Sequence, residues 1–232
     1  MNNITLPTKS EIGKITVSEL NKEFEDIYQD QRYILDGTSK ILQTVLYTCD
    51  NIFNSKAHFT DKRFVEFQKL KELIKVDKKK LNFISVLVDP DDEILEKIKD
   101  FNFDYYQLYD VTPERTKEIK SKYKIKIITA ITVSERYDVI KYKDYLEISE
   151  IILFDSKGYH KSESFDHSLL DEVPKKLNKM IAGNIQIEDI PNFRDKDFII
   201  DLSGSLEDAN GKKDINKINR LLNLFANIWK LK

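Results

Sequence analysis

LNFISVLVDPDDEILEKIKDFNFDYYQLYDVTPERTKEIKSKYKIKIITAI (81–131) repeats one rhythm, a short apolar run followed by an amphipathic segment. LNFISVLVD (81–89) is β-branched and aromatic and ends at Pro90, which predicts a strand. A helix follows with Leu95 and Ile98 on one face, proline being favoured at the first helical position. FDYYQLY (103–109) reads as the next strand, and Thr112-Pro113 caps the helix after it. IKIITAI (125–131) is a third strand, with Ser134 capping a helix over 135–146. Strands that are apolar almost throughout, alternating with helices, indicate a parallel sheet covered on both faces.

The rhythm continues to the end of the chain. EIILFD (150–155) is a strand with a short helix near 166–173, and KMIAG (179–183) is a strand with a short helix near 188–193. FIIDLS (198–203) is the last strand, before a helix over 213–230 striped by Ile215, Ile218, Leu221, Leu222 and Phe225. Working back from residue 81, helix 61–75 aligns Phe64, Phe67, Leu70 and Ile74, and ILQTVLYTC (41–49) reads as a strand. Helix 19–35 carries Leu20, Phe24, Ile27 and Ile34, with Ser18 as N-cap and Gly37 as C-cap glycine. IGKITV (12–17) remains for strand one. Eight units close a barrel, so the expected fold is α/β, a single (β/α)8 TIM barrel over 1–232 with 1–11 as an N-terminal extension. A doubly wound open sheet is the alternative. The length, 232 residues, is near the roughly 250 typical of such barrels, and no linker divides it.

Composition narrows the function. Lys+Arg 38 against Asp+Glu 40 gives a net charge of −2, without the basic excess of a nucleic-acid or membrane-surface binder. The Lys runs 78–80, 175–176 and 212–213 are interspersed with acids and read as solvated helix ends. No stretch approaches the roughly 20 apolar residues of a membrane span, and MNNITLPTKSEIGK (1–14) has no apolar leader core. One cysteine, Cys49, forms no intrachain disulfide, which fits a cytoplasmic protein. Three scattered histidines make no metal site, and no cofactor is expected.

A parallel barrel binds ligands at the C-terminal ends of its strands. Those ends are Val17, Cys49, Asp89, Tyr109-Asp110, Thr132, Asp155, Gly183-Asn184 and Ser203-Gly204-Ser205. Several carry a resemblance. IDLSGSLEDANGKKDINKI (200–218) is similar to the strand-eight signature of the phosphoribosylanthranilate isomerase family, through Asp201, Ser203, Glu207, Gly211, Lys213 and Asp214. AGNIQIEDI (182–190) is similar to its Ala-Gly-Gly-Leu run after strand seven. ILFDS (152–156) with FDHSLL (165–170) resembles its strand-six aspartate and the Phe-Asp-Trp beyond its mobile loop. YQLYD (106–110) resembles its strand-four Gln-Leu-His-Gly. These segments cover about 81–232 in order.

The resemblance implies an Amadori-type conversion of N-(5-phosphoribosyl)anthranilate, an aminoaldose, to an aminoketose in tryptophan biosynthesis. A general acid protonates the ribose ring oxygen and a general base removes the C2 proton. Asp155 matches the general acid. Gly183, Asn184, Ser203, Gly204 and Ser205 fall where the phosphate would be held, and Asp201 and Gln107 at substrate-contacting positions. The implied partner is a small phosphorylated sugar-type substrate, with no nucleic acid or membrane, and the chain a monomer or homodimer.

The chain also departs from the pattern. The family's base is a cysteine ending strand one, whereas KITVS (14–18) has none. Cys49, ending strand two, is either a displaced base or a small core residue. Tyr109-Asp110 stands for His-Gly, Asn184 for the second strand-seven glycine, and Gly204-Ser205 reverses the usual order. GYHKSES (158–164) replaces a glycine-rich loop, and Lys56-Ala57 stands where an arginine is expected. Simpler roles remain open: Asp155 as a helix-capping or salt-bridged strand-end carboxylate, Gly183 and Gly204 as turn glycines, His160 and His167 as solvated, Tyr105, Tyr106 and Tyr109 on alternate faces, Lys213-Asp214 as the start of the last helix, and Trp229 as packing. Three functions are compatible with this pattern: an active isomerase with a shifted base, a diverged barrel binding another small phosphorylated ligand, and a non-catalytic interaction barrel.

Overall fold

Eight strands close into a barrel in chain order, and seven of them run parallel. The computed structural model describes residues 31–36, 41–48, 67, 70–71, 74–75, 82–156, 164–194, 196–209 and 213–230. The strands are β1 (Gln31–Asp36), β2 (Ile41–Thr48), β3 (Asn82–Val88), β4 (Tyr105–Tyr109), β5 (Lys126–Val133), β6 (Ile151–Ser156), β7 (Lys179–Ile181) and β8 (Ile199–Leu202). From β2 onward each lies within a few residues of its expected place.

The first strand corrects the sequence reading. Residues expected to end helix 19–35 form β1, which runs antiparallel to both β2 and β8. Only residues 37–40 separate β1 from β2, and parallel neighbours need a crossover of a dozen or more residues. The helical stripe had also thinned there, passing from Ile27 to Ile34 with no apolar residue at the intervening helical positions, while Tyr33 and Ile34 favour a strand. Strand one at 12–17, the segment 19–30 with its cap Ser18, Gly37 and Cys49 lie outside the described residues. Of helix 61–75, Phe67, Leu70 and Lys71 are helical, with Leu70 fully buried.

The helices are α1 (Asp92–Ile98), α2 (Pro113–Tyr123), α3 (Arg136–Ile140) and α4 (Ile215–Lys230). Thr112 and Pro113 start α2 as expected. In α1 the cap is Asp91, whose carboxylate accepts the Ile94 N–H at 2.9 Å, so Pro90 stands outside the helix. Glu135, not Ser134, caps α3, which gives way to a 3-10 turn at Lys141–Tyr145. The segments expected as short helices near 166–173 and 188–193 are 3-10 turns too, at His167–Leu170 and Ile187–Phe193. Their apolar residues explain why. Ile187, Ile190 and Phe193 are buried at a spacing of three, as are Val139 and Tyr142, and a 3-10 helix repeats every three residues.

Side chains alternate across each strand. Outward residues such as Phe83, Leu87, Tyr106, Leu108, Ile127, Ile152, Phe154, Ile200 and Leu202 pack beneath the helices. Inward residues such as Ile84, Val86, Ile128, Ala130, Leu153 and Met180 fill the barrel. Among the described residues no helix is long and apolar enough to cross a membrane.

Candidate active site

The alternation decides which strand-end residues face inward. On β4, Tyr106 and Leu108 belong to the outer layer, so Tyr105, Gln107 and Tyr109 point into the barrel. On β6, Ile152 and Phe154 pack outward and Asp155 points inward; on β8, Ile200 and Leu202 pack outward and Asp201 points inward. Gln107, Tyr109, Asp155 and Asp201 therefore share the interior, with Tyr109, Asp155 and Asp201 toward the C-terminal end of the strands.

Three of them are joined. The Tyr109 hydroxyl donates to Asp155 Oδ2 at 2.8 Å, and Gln107 Nε2 donates to the Tyr109 oxygen at 3.2 Å. Asp155 Oδ1 accepts the N–H of Ser156 at 2.8 Å. Asp155 is half-buried and Gln107 fully buried, with no hydrogen-bond partner for Gln107 Oε1 among the described residues. The role of Tyr109 was not visible in sequence, where it appeared as a departure from histidine. Its two-residue spacing from Gln107 on a strand was the available signal.

The strand-end turns use left-handed backbone without much glycine. Asp89 (φ 40°), Asp110 (φ 57°) and Asn184 (φ 54°) adopt it, and Asp and Asn are among the non-glycine residues that do so most readily. Asp110 and Asn184 are two of the places where the sequence departs from a family glycine, and both adopt the backbone region that glycine favours. Asn184 is exposed, and its side-chain and main-chain oxygens both accept from Gln186 Nε2, at 2.9 and 2.8 Å. It does not fill the loop it sits in.

The two loop glycines differ. Gly183 has φ +96°, and a Cβ there would lie 2.6 Å from both Cβ and Oγ of Ser156. The close approach of β6 thus requires this glycine, and no feature of the sequence had pointed to Ser156 as its neighbour. At Gly204 a Cβ would meet no described residue within 4 Å. The Ser205 hydroxyl beside it is buried with no partner among the described residues.

Beneath this loop lies Lys213. Its ammonium donates to the Ser203 carbonyl at 3.1 Å and approaches Ser203 Oγ at 3.4 Å. It also pairs with Glu207 at 3.0 Å, the two side chains being 6% and 5% exposed. This corrects the expectation of a solvated lysine run at 212–213: the antiparallel bridge Glu207↔Lys213 folds the lysine back under the loop. Asp214 caps α4, accepting the N–H of Asn216 at 2.8 Å. His167 is likewise not solvated. It packs edge-on against Phe165 and tilted against Phe193, Nε2 is buried, and burial pushes the imidazole below its ordinary value. Lys56-Ala57, loop residues 157–163 with His160, and Gly211 lie outside the described residues, as does the Trp229 side chain. No cluster of His, Cys, Asp or Glu among the described residues is arranged to hold a metal.

The family model for N-(5'-phosphoribosyl)anthranilate isomerase matches residues 20–224. The isomerase of Brucella canis is 31% identical over 154 residues, 62% of this chain and 69% of its own. The crystal structure of phosphoribosyl anthranilate isomerase from Thermotoga maritima aligns over 78% of this chain and 86% of its own, at TM-score 0.63 and 21% identity. A phosphoribosyl anthranilate isomerase in complex with reduced 1-(o-carboxyphenylamino)-1-deoxyribulose 5-phosphate aligns over 78% and 85%, at TM-score 0.62 and 20% identity. The two structures speak for the α/β barrel, and the family model with the Brucella relative for descent: the chain belongs to the N-(5'-phosphoribosyl)anthranilate isomerase family.

Proposed function

We propose that the chain isomerises N-(5'-phosphoribosyl)anthranilate, with Asp155 as the general acid. The observation that carries this is the place of Asp155, inward-facing at the C-terminal end of β6 in a chain of that family. Asp155 gives its proton to the ribose ring oxygen as the C1–O bond breaks and the anilinic nitrogen forms an iminium. A base then takes the C2 proton, leaving an enolamine that tautomerises to the aminoketose. Cys49, the chain's single cysteine, one residue past β2, is the candidate base. The phosphate rests on backbone N–H groups after β7 and β8. Gly204 supports this, because no described residue demands a glycine there. Asp201 and Gln107 contact the sugar or the anthranilate, and the unpartnered Gln107 Oε1 is an acceptor left for that purpose. The protein works in the cytoplasm as a single-domain monomer or homodimer.

Neither KITVS (14–18) nor β1 contains a cysteine, which favours a second reading, a barrel that binds a small phosphorylated ligand without isomerising it. Purified protein assayed with freshly generated substrate separates the two. Turnover is expected, with a loss of about 10²–10⁴-fold in Asp155→Asn, the size of general-acid catalysis. Cys49→Ala in parallel tests the base. Wild-type rates in Asp155→Asn overturn the acid assignment, and no turnover by the unmutated protein moves the function to the second reading.

A further inference from the structure

We propose that Tyr109 is the positioning residue of the acid, aiming Asp155 at the ring oxygen and taking up the charge left when its proton departs; this rests on the isomerase reading above. A tyrosyl hydroxyl has one proton to give and lone pairs to accept with. At 3.2 Å from Gln107 Nε2 its oxygen accepts, so its proton is directed to Asp155 Oδ2 at 2.8 Å. With Asp155 accepting that proton, the Gln107 amide must present its N–H side, which leaves Oε1 without a partner among the described residues. The chain Gln107→Tyr109→Asp155 therefore has one direction.

Both carboxylate oxygens are engaged, Oδ2 by Tyr109 and Oδ1 by the Ser156 N–H, which holds the carboxyl plane. During ring opening the proton moves from Asp155 to the ribose oxygen, and negative charge develops on the carboxyl group. A donor already aimed at that oxygen needs no reorganisation as the charge appears, which is how preorganised donors lower a barrier. Tyr109 touches no reacting atom in this scheme and acts through Asp155. The ring is buried, so Tyr109→Phe keeps the packing and removes the hydroxyl alone.

The test compares kcat and KM in Tyr109→Phe, Tyr109→His and Asp155→Asn, singly and combined. Tyr109→Phe should lower kcat about 10- to 100-fold, the size of a hydrogen bond to a group that becomes charged, with KM unchanged. Tyr109→His, which restores an N–H donor, should recover part of the loss. In the Asp155→Asn background Tyr109→Phe should add little, because groups acting as one unit are not additive. An unchanged kcat, or the same factor lost in both backgrounds, overturns the proposal. A second measurement needs no activity. With 3-fluorotyrosine incorporated, the Tyr109 signal is the one missing from Tyr109→Phe, among 11 tyrosines. It should shift in Asp155→Asn and in Gln107→Leu, and a signal unmoved in both refutes the hydrogen-bonded chain. Absent turnover in the unmutated protein would instead remove the isomerase reading and the kinetic role with it, while the fluorine shift still decides whether Tyr109 holds Asp155.

Discussion

Gly183→Ala separates a glycine required by the fold from one left for a ligand. Two costs add at this position. The backbone sits at φ +96°, beyond the left-handed region that an alanine tolerates, which costs about 1–3 kcal/mol. The new methyl would lie 2.6 Å from Cβ and Oγ of Ser156 and 2.8 Å from its N, and overpacking of this kind costs about 1–3 kcal/mol. The expected loss is therefore about 2–6 kcal/mol, read by equilibrium urea unfolding followed by circular dichroism. Combining it with Ser156→Gly removes two of the three obstructing atoms but leaves the dihedral. The pair should recover part of the loss, with a favourable coupling of about 1–3 kcal/mol. Gly204→Ala is the control, unchanged within about 0.5 kcal/mol because its methyl meets no described residue, yet with a raised KM if phosphate approaches there. The reasoning is refuted if Gly183→Ala unfolds like the unmutated protein, or if Ser156→Gly brings no relief.

Lys213→Met should destabilise by about 3–5 kcal/mol, because it strips a buried carboxylate of its cation, and Glu207→Gln added to it should return part of that in the same urea titration. His167 titrates lower in the folded chain than its ordinary 6.5, so the unfolded chain binds its proton first. Its contribution is complete above pH 6.5 and is lost as pH falls from there through the lowered folded value. Thermal unfolding of His167→Phe should show a shallower fall in midpoint over that window, and an identical profile would refute the assignment.

The parallel part of the barrel was legible because each strand is a short apolar run set off by the polar or amphipathic segment that follows it. The strand-end position of Asp155 followed from it, since the pattern predicts where such strands end, whereas Asp201 was singled out by the resemblance alone. The misreadings had local causes. The segment 31–36 carries too few apolar residues to distinguish period two from period 3.6, and the four-residue connection to β2 was the better guide. The short helices near 166–173 and 188–193 were placed but not typed, although Ile187, Ile190 and Phe193 already stood three apart. The replaced glycines suggested altered strand-end loops, yet Asp110 and Asn184 adopt left-handed turns without glycine. Tyr109 and Lys213 eluded the reading because their meaning lies in partners 46 residues away, for Tyr109, and folded back beneath a loop, for Lys213.

The bridge between Glu207 and Lys213 closes the chain on itself at the foot of the segment between them, and Lys217 Nζ adds a bond to the Glu207 carbonyl at 2.6 Å. Whatever is added between those two residues leaves the knot below untouched. Each doubling of such a loop adds only about 0.6 kcal/mol of closure entropy. The barrel rim beside the proposed phosphate cradle is thus a place where the chain can lengthen, and a new contact be added, without rebuilding the floor on which Ser203 and Gly204 stand.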